Sequence, residues 1–245
     1  MTTRWLPRPG SAQPLAGPSS TGSSQGTNLN RRERMPDRPV NICVYCSSSD
    51  RIEPHYLELA AEVGNEIGRR GHTLVSGGGS ISCMGEVARG ARALGARTVG
   101  VIPRSLLEFE IADLDADELL VTDNMRERKQ RMDERSDGFL ALPGGIGTLE
   151  EVLEAWVALD LGMHNKPVVI LDPDGVFALL RAQIDQLVQK GFVHPKARGA
   201  VTWATTVPQA LDLVEAGIAR YANVRTVDVA QSLGTSAVGD GVITL

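Results

Sequence analysis

Hydrophobic residues in this chain of 245 residues follow two alternating patterns from Val40 onward. Short apolar runs indicate buried strands, and longer segments with apolar residues three or four positions apart indicate amphipathic helices. Glycine ends the first helical segment at Gly71. The predicted strands are 40–46, 72–79, 97–103, 118–123, 138–145 and 166–171. The predicted helices are 54–71, 85–94, 125–135, 148–161, 176–189 and 208–221.

Strands that alternate with helices predict an α/β fold, because right-handed crossovers place helices on both faces of a parallel sheet. We therefore expect a Rossmann-like three-layer sandwich over residues 39–221. Residues 1–38 are rich in Pro, Gly, Ser and Arg and have no hydrophobic periodicity, which predicts a disordered N-terminal extension. Residues 222–245 alternate only weakly and are interpreted as a loose C-terminal tail.

Charge and cysteine content exclude several classes of protein. The formal charge is −5 although the first 38 residues carry six arginines, so the rest of the chain is still more acidic, which argues against nucleic-acid binding. The apolar runs are far shorter than the ~20 residues of a membrane-spanning helix. Cys43 and Cys46 would point to opposite faces of one strand, so we expect buried thiols rather than a metal or disulfide site. Unpaired cysteines fit a reducing compartment, so we expect a cytoplasmic location.

Two glycine-rich loops follow predicted strands: "SGGGSISCMG" after the second and "PGGIGT" after the fifth. Ligands of parallel sheets bind where strands run into helices, and amides at a helix N-terminus attract a phosphate or another anion. Neither loop is a standard nucleotide fingerprint, because Glu150 replaces the last glycine of G-x-G-x-x-G and no Gly-Lys-Ser/Thr is present. Tight turns without a ligand remain an alternative for these glycines.

Charged residues flank the second loop. Glu150 and Glu151 lie in the first turn of the helix that follows, where its dipole favours negative charge. Adjacent helical residues point ~100° apart, so one carboxylate is expected to face the cavity with catalytic reach. The preceding helix carries Arg126, Arg128, Lys129 and Arg131. This charge run is interpreted either as a solvated face or as a source of one arginine and the lysine for the same cavity.

Two motifs resemble those of a known family. "PGGIGTLEE" matches the pattern P-G-G-x-G-T-x-x-E, and "MRERKQRM" matches M-x-x-R-K-x-x-M. These are signatures of the LOG (Lonely Guy) proteins, the cytokinin riboside 5′-monophosphate phosphoribohydrolases, and the similarity extends over residues 40–221. Many relatives have Gly-Leu-Met-Gly where this chain has "SCMG" at 82–85, which leaves the preferred N6 substituent open.

The resemblance implies an enzyme that hydrolyses the N-glycosidic bond of N6-substituted adenosine 5′-monophosphates, with AMP as a poorer substrate. It implies that Arg128 and Glu151 are the catalytic pair. It also implies a homodimer with the active site near the interface, and neither a metal nor a cofactor. The substrate-binding residues implied are Gly78, Gly79, Met84, Glu110, Lys129, Gly144, Gly145, Ile146, Gly147, Thr148, Leu149 and Glu150.

Two other functions are compatible with the sequence. Layered α/β folds host many activities, so a non-catalytic nucleotide or cofactor carrier is one alternative. The family's older label suggests a pyridoxal phosphate-dependent lysine decarboxylase. That reaction requires a lysine that forms a Schiff base in a suitable pocket, and the sequence nominates no such lysine.

Overall fold

The computed structural model describes residues 38–107 and 112–234 and contains a seven-stranded sheet. The strand order is β4-β3-β2-β1-β5-β6-β7, and every pair of neighbours is parallel. This architecture confirms the predicted Rossmann-like α/β fold. The strands are β1 (Asn41–Tyr45), β2 (Thr73–Ser76), β3 (Thr98–Pro103), β4 (Glu118–Thr122), β5 (Gly138–Ala141), β6 (Val168–Leu171) and β7 (Val201–Ala204).

Among the described residues, helices connect successive strands except between β3 and β4, where residues 108–111 are not described. A single 3-10 turn over Arg104–Leu106 follows β3. The helices are α1 (Pro54–Arg69), α2 (Ser82–Ala93), α3 (Met125–Glu134), α4 (Ile146–Asp160), α5 (Ala178–Gln189), α6 (Pro195–Ala200) and α7 (Val207–Gly234).

Side chains of the central strand β1 alternate between two cores, one on each face of the sheet. Ile42 and Val44 belong to the core beneath α1, α2 and α7. Cys43 and Tyr45 belong to the core that includes residues of α3 and α4. The predicted thiols are confirmed, since all three cysteines are buried and none forms a disulfide.

The structure departs from the predicted elements at several places. The edge strand β7 and the short helix α6 were not predicted, because β7 lacks the continuous apolar run of the other short strands and the six residues of α6 are too few for a helical period. Helix α2 begins at Ser82 rather than Gly85. Helix α7 runs to Gly234 instead of ending at Tyr221, because no glycine or proline interrupts 222–233. Residues 1–37 and 235–245 of the two predicted extensions lie outside the described ranges.

The sheet order places a topological switch point between β1 and β5. From β1 the chain builds outward to β2, β3 and β4 on one side, and β5, β6 and β7 lie on the other side. The loops that leave β1 and β5 therefore diverge and leave a crevice above the carboxyl ends of these strands. In open parallel sheets this crevice is the usual place for a ligand.

A buried ion-pair cluster ties α7 to the opposite end of the sheet. The Glu215 carboxylate lies 2.9 Å from Nε2 of His72 and 3.1 Å from Nη1 of Arg70. Burial opposes ionisation of Glu215, but the hydrogen bond with His72 and the Arg70 charge together hold its pKa below the ordinary value. A carboxyl whose pKa is lowered on folding stabilises the native state above its unfolded pKa of about 4.3.

We expect Glu215→Gln to lower the free energy of unfolding by about 3 kcal/mol at pH 7, because the buried Arg70 guanidinium and the buried His72 ring lose a charged partner. Urea unfolding measures this change. The difference from wild type should begin to shrink as the pH falls below the unfolded pKa of about 4.3, and it should disappear only once the pH has passed through the lowered pKa of Glu215 in the native wild type. Glu134→Gln removes an exposed pair with Arg131 and should leave stability nearly unchanged. An equal loss in both variants, or a loss independent of pH, would contradict this account of Glu215.

Candidate active site

A cavity of about 260 Å³ lies at the switch point between β1 and β5. Four segments line it: the end of β1 with the serine loop Ser47–Ser49, the residues Gly77 and Met84 of the glycine-rich loop that follows β2, helix α3, and the first turn of α4. Helix α3 contributes Met125, Arg128 and Met132, and α4 contributes Ile146, Gly147, Thr148, Glu150 and Glu151 after Gly145. The cavity therefore brings an anion-attracting helix terminus, an arginine and a carboxylate together.

The N-terminus of α4 presents backbone N–H groups to this cavity. Gly145 is the N-cap residue with extended backbone, and no side chain caps the helix. A Cβ atom on Gly145 or Gly147 would meet no protein atom within 4 Å, so both glycines leave room for a ligand against the backbone. Gly144 serves packing instead, because a Cβ there would lie 2.2 Å from Oγ1 of the buried Thr148. The first turn of α4 therefore has open space next to its backbone N–H groups, a place where helix N-termini attract anions.

Arg128 is buried with 4% of its surface exposed and is fixed by backbone carbonyls. Its Nε donates to the Val101 carbonyl at 3.0 Å, and Nη2 donates to the Gly77 carbonyl at 3.1 Å. The guanidinium lies so close to Gly77 that a Cβ there would be 2.0 Å from Nη2. At the start of α3, Asn124 caps the helix by accepting from the N–H groups of Arg126 and Glu127. The arginine is therefore rigid, and its remaining nitrogen, Nη1, approaches Glu151.

Glu151 provides the acid of the cavity. Its side chain is 13% exposed, and Oε1 lies 3.7 Å from Nη1 of Arg128. The distance is that of a charge pair without a short hydrogen bond, and Nη1 of Arg128 also donates to Sδ of Met125 at 3.5 Å. Burial, and after it the negative charge of Glu151, raises the pKa of the Cys43 thiol well above its ordinary value. Burial also raises the pKa of Tyr45, with Cys43 and Glu151 adding to the effect.

Lys129 lies on a different side of the helix pair from Arg128. Lys129 donates to Glu150 and also pairs with Glu154, which joins α3 to α4. Burial opposes the charged form, but these two carboxylates raise the pKa of Lys129 above its ordinary value. Lys129 therefore lines a second crevice between the helices, and the ammonium group does not line the cavity that holds Arg128.

The structure gathers most of the predicted site residues in one place. Arg128 and Glu151 line the cavity together, as do Met84, Gly145, Ile146, Gly147, Thr148 and Glu150. Gly78 and Gly79 lie beside the cavity without lining it: Gly78 has φ of 76° against β3, and Gly79 bridges Ala112. Leu149 lines a groove on the outer face of α4 instead. Glu110 lies outside the described residues.

Sequence reasoning missed Gly77, Met125, Met132 and the serine loop as cavity residues. The serine loop could have been found with the rule used for the glycine loops, because it follows the carboxyl end of a central strand. No comparable signal existed for Gly77, since only the position of Arg128 shows which glycine of the run lies against the guanidinium.

Comparison with known proteins shows the family. The family model described as "Possible lysine decarboxylase" matches residues 84–214, more than half of the chain. The chain is 52% identical over 170 residues to a cytokinin riboside 5′-monophosphate phosphoribohydrolase of Mycobacterium tuberculosis, with 69% of this chain and 90% of that protein covered. A protein of the same name from Arabidopsis thaliana is 41% identical over 182 residues, with 74% of this chain and 82% of that protein covered.

Solved structures share the same fold. The molybdenum cofactor carrier protein of Chlamydomonas reinhardtii has a TM-score of 0.56 at 26% identity, and the match covers 74% of this chain and 99% of that one. A molybdenum cofactor binding protein from Rippkaea orientalis, at 22% identity and a TM-score of 0.54, supports the fold alone. Together with the two signature motifs in one cavity, the sequence relatives establish that this chain belongs to the LOG family of cytokinin riboside 5′-monophosphate phosphoribohydrolases.

Proposed function

We propose that this protein hydrolyses the N-glycosidic bond of N6-substituted adenosine 5′-monophosphates, and more slowly that of AMP, to give the free base and ribose 5-phosphate. The observation that carries the proposal is the arrangement of one cavity, in which a helix N-terminus without a side-chain cap lies beside a rigid arginine and a mostly buried acid. Each group suits one part of a nucleotide. Sequence relatives that carry this activity in their names support the assignment.

The phosphate end of the substrate is assigned to α4. The N–H groups of Gly147 and Thr148, with the Thr148 hydroxyl, would donate to the phosphate oxygens, and the helix dipole adds partial positive charge. An acidic protein needs such a local device to hold an anion. The helix dipole and the amides act only at short range, so the phosphate is held next to the first turn of α4. The sugar attached to it then lies on the side of the cavity where Glu151 is.

The reaction follows from the charges that develop in the transition state. Positive charge spreads over the ribose ring as the bond between C1′ and N9 breaks, so the Glu151 carboxylate stabilises it. Water forms the new bond to C1′ and passes one proton to Glu151, while the electron pair of the broken C1′–N9 bond remains on the base; the base then takes up a proton from solvent and Glu151 releases its own. Arg128 is held in place by the carbonyl groups of Val101 and Gly77. We assign it the role of stabilising the negative charge that develops on the departing base.

The two alternative functions are less well supported. A pyridoxal phosphate-dependent decarboxylase would need a lysine in the cavity, and among the described residues none lines it, since Lys129 is paired with Glu150 and Glu154. The structural match to a molybdenum cofactor carrier supports the fold, but a carrier does not require the Arg128–Glu151 pair. Incubating the purified protein with isopentenyladenosine 5′-monophosphate and measuring free base by chromatography distinguishes the hydrolase from the carrier and the decarboxylase. Release of the base supports the hydrolase, whereas its absence contradicts it.

We also propose that the protein acts as a homodimer in the cytoplasm and contributes to cytokinin production. Helix α4 exposes an apolar stripe formed by Ile146, Leu153, Val157 and Leu161, which begins at the active site. Such a stripe is the expected feature of a helix that packs against a second copy. The unpaired thiols are typical of a reducing compartment. No helix among the described residues is long and apolar enough to cross a bilayer.

The dimer proposal predicts that Val157→Glu converts the protein to a monomer, because the change buries a charge in the middle of the stripe. Light scattering coupled to size-exclusion chromatography gives the mass. Leu179→Glu places the same charge at an exposed leucine of α5 and should leave the mass unchanged. A monomeric wild type, or a dimer that Val157→Glu leaves intact, would contradict this interface.

A further inference from the structure

Ser82 has a backbone conformation that its residue type does not favour. Its φ is 52°, and no other non-glycine residue in the described ranges has a positive φ. The left-handed region costs free energy for residues with a Cβ, and glycine is the usual occupant. Such a residue persists where its surroundings hold it in place, and strained residues cluster at functional sites. The contacts of Ser82 are therefore informative.

The Ser82 side chain joins two walls of the cavity. Its Oγ donates to the Ser49 carbonyl at 2.5 Å, and the Ser49 N–H in turn donates to Oγ of Ser47 at 3.1 Å. Both backbone groups of Ser49 are thus held, and Ser47 and Ser49 line the cavity. Met84, two residues after Ser82, lines it as well. The hydrogen bond connects the serine loop Ser47–Ser49 to the start of α2.

The serine loop and the start of α2 lie where the base of the substrate, with its N6 group, is expected. On the proposed function, on which this step rests, the phosphate lies at Gly147 and Thr148 and the anomeric carbon lies at Glu151. The lining that remains for the base and its N6 group comprises the serine loop, Gly77 and Met84 on one side and Met125 and Met132 of α3 on the other. Gly77 is covered by Arg128, and among the other lining segments the serine loop is the one that the Ser82 hydroxyl holds in place.

We propose that Ser82 is a positioning residue that determines which N6 substituents the cavity accepts. Its hydroxyl holds the serine loop against the base, and its left-handed backbone aims the hydroxyl at Ser49. Without the hydroxyl, the loop is free to move outward, which loosens the contact with a small base and leaves more room for a bulky N6 group.

Two substitutions separate the hydroxyl from the backbone. Ser82→Gly removes the hydroxyl and relieves the left-handed conformation, whereas Ser82→Ala removes the hydroxyl and keeps the strain. We expect both variants to raise KM for AMP by about 3- to 10-fold, the range for loss of one hydrogen bond, with a smaller change for N6-benzyladenosine 5′-monophosphate. Inhibition by ribose 5-phosphate should not change, because this molecule has no base. Ser82→Gly should unfold at a higher temperature than Ser82→Ala.

Three results would overturn the proposal: an unchanged KM ratio between the two nucleotides in both variants, a change in Ser82→Ala alone, or an equal weakening of ribose 5-phosphate inhibition. If the wild type releases no base from any nucleotide, the proposed function fails on that ground. The role of Ser82 is then read from calorimetric affinities of AMP and ribose 5-phosphate. Weaker AMP binding with unchanged ribose 5-phosphate binding in both variants supports the role, and unchanged AMP binding contradicts it.

Discussion

Glu151→Gln is expected to lower turnover of an N6-substituted adenosine 5′-monophosphate by about 10²-fold or more while KM changes little. Glutamine keeps the size and most of the hydrogen bonding of the acid, but it neither accepts the proton of the attacking water nor offsets the positive charge on the ribose. Steady-state release of free base measures the effect, and calorimetry with ribose 5-phosphate shows whether binding persists.

A matched control lies one turn further along the same helix. Glu154 pairs with Lys129 and does not line the active-site cavity, so Glu154→Gln removes a carboxylate of α4 without touching the proposed chemistry. Turnover in this variant should remain near that of the wild type. If Glu151→Gln kept most of its turnover, or if both variants lost it equally, Glu151 would have no specific part in the reaction.

Gly77→Ala is expected to reduce turnover by about 10²-fold through the displacement of Arg128. The new Cβ would lie 2.0 Å from Nη2, so the guanidinium has to leave the Gly77 carbonyl and with it the fixed position beside Glu151. A guanidinium that is no longer fixed stabilises the departing base less well. Steady-state kinetics measure the loss.

The controls for Gly77→Ala separate displacement from unfolding. Gly199→Ala adds a methyl group where no atom lies within 4 Å, and it should leave activity unchanged. Arg128→Gln removes the guanidinium directly and should cause a loss similar to that of Gly77→Ala. Circular dichroism establishes that each variant is folded. A folded Gly77→Ala variant with wild-type turnover would show that the position of Arg128 does not matter.

The α/β architecture was predictable because buried apolar runs and amphipathic helical segments alternate regularly along the sequence. Six of the seven strands and the helices between them follow from buried apolar runs such as Val168–Leu171 and from amphipathic segments such as Pro54–Arg69. The edge strand β7 was not predicted, because in "VTWA" only Val201 and Ala204 are buried. These four residues form neither a continuous apolar run nor a regular alternation. Helix α7 was predicted to end too early, at Tyr221, although no glycine or proline after Tyr221 stops it before Gly234.

The site was predictable where local backbone chemistry defines it and not where distant segments meet. The glycines before α4 and the acid in its first turn are visible in one stretch, and the resemblance to LOG proteins added Arg128. The separation of Arg128 from Lys129 follows from the ~100° between adjacent helical residues, but which of the two faces the cavity depends on tertiary packing. The contacts of Gly77 with Arg128 and of Ser82 with Ser49 cross between elements, so periodicity does not reveal them.

The central claim is that a sugar phosphate is held at the first turn of α4 with its anomeric carbon against Glu151. A crystal structure of the Glu151→Gln variant with bound AMP tests it most directly. The account predicts phosphate oxygens at about 3 Å from the N–H groups of Gly147 and Thr148, with the side chain at 151 facing C1′. A phosphate bound away from that turn, or a side chain at 151 directed into solvent, would contradict it.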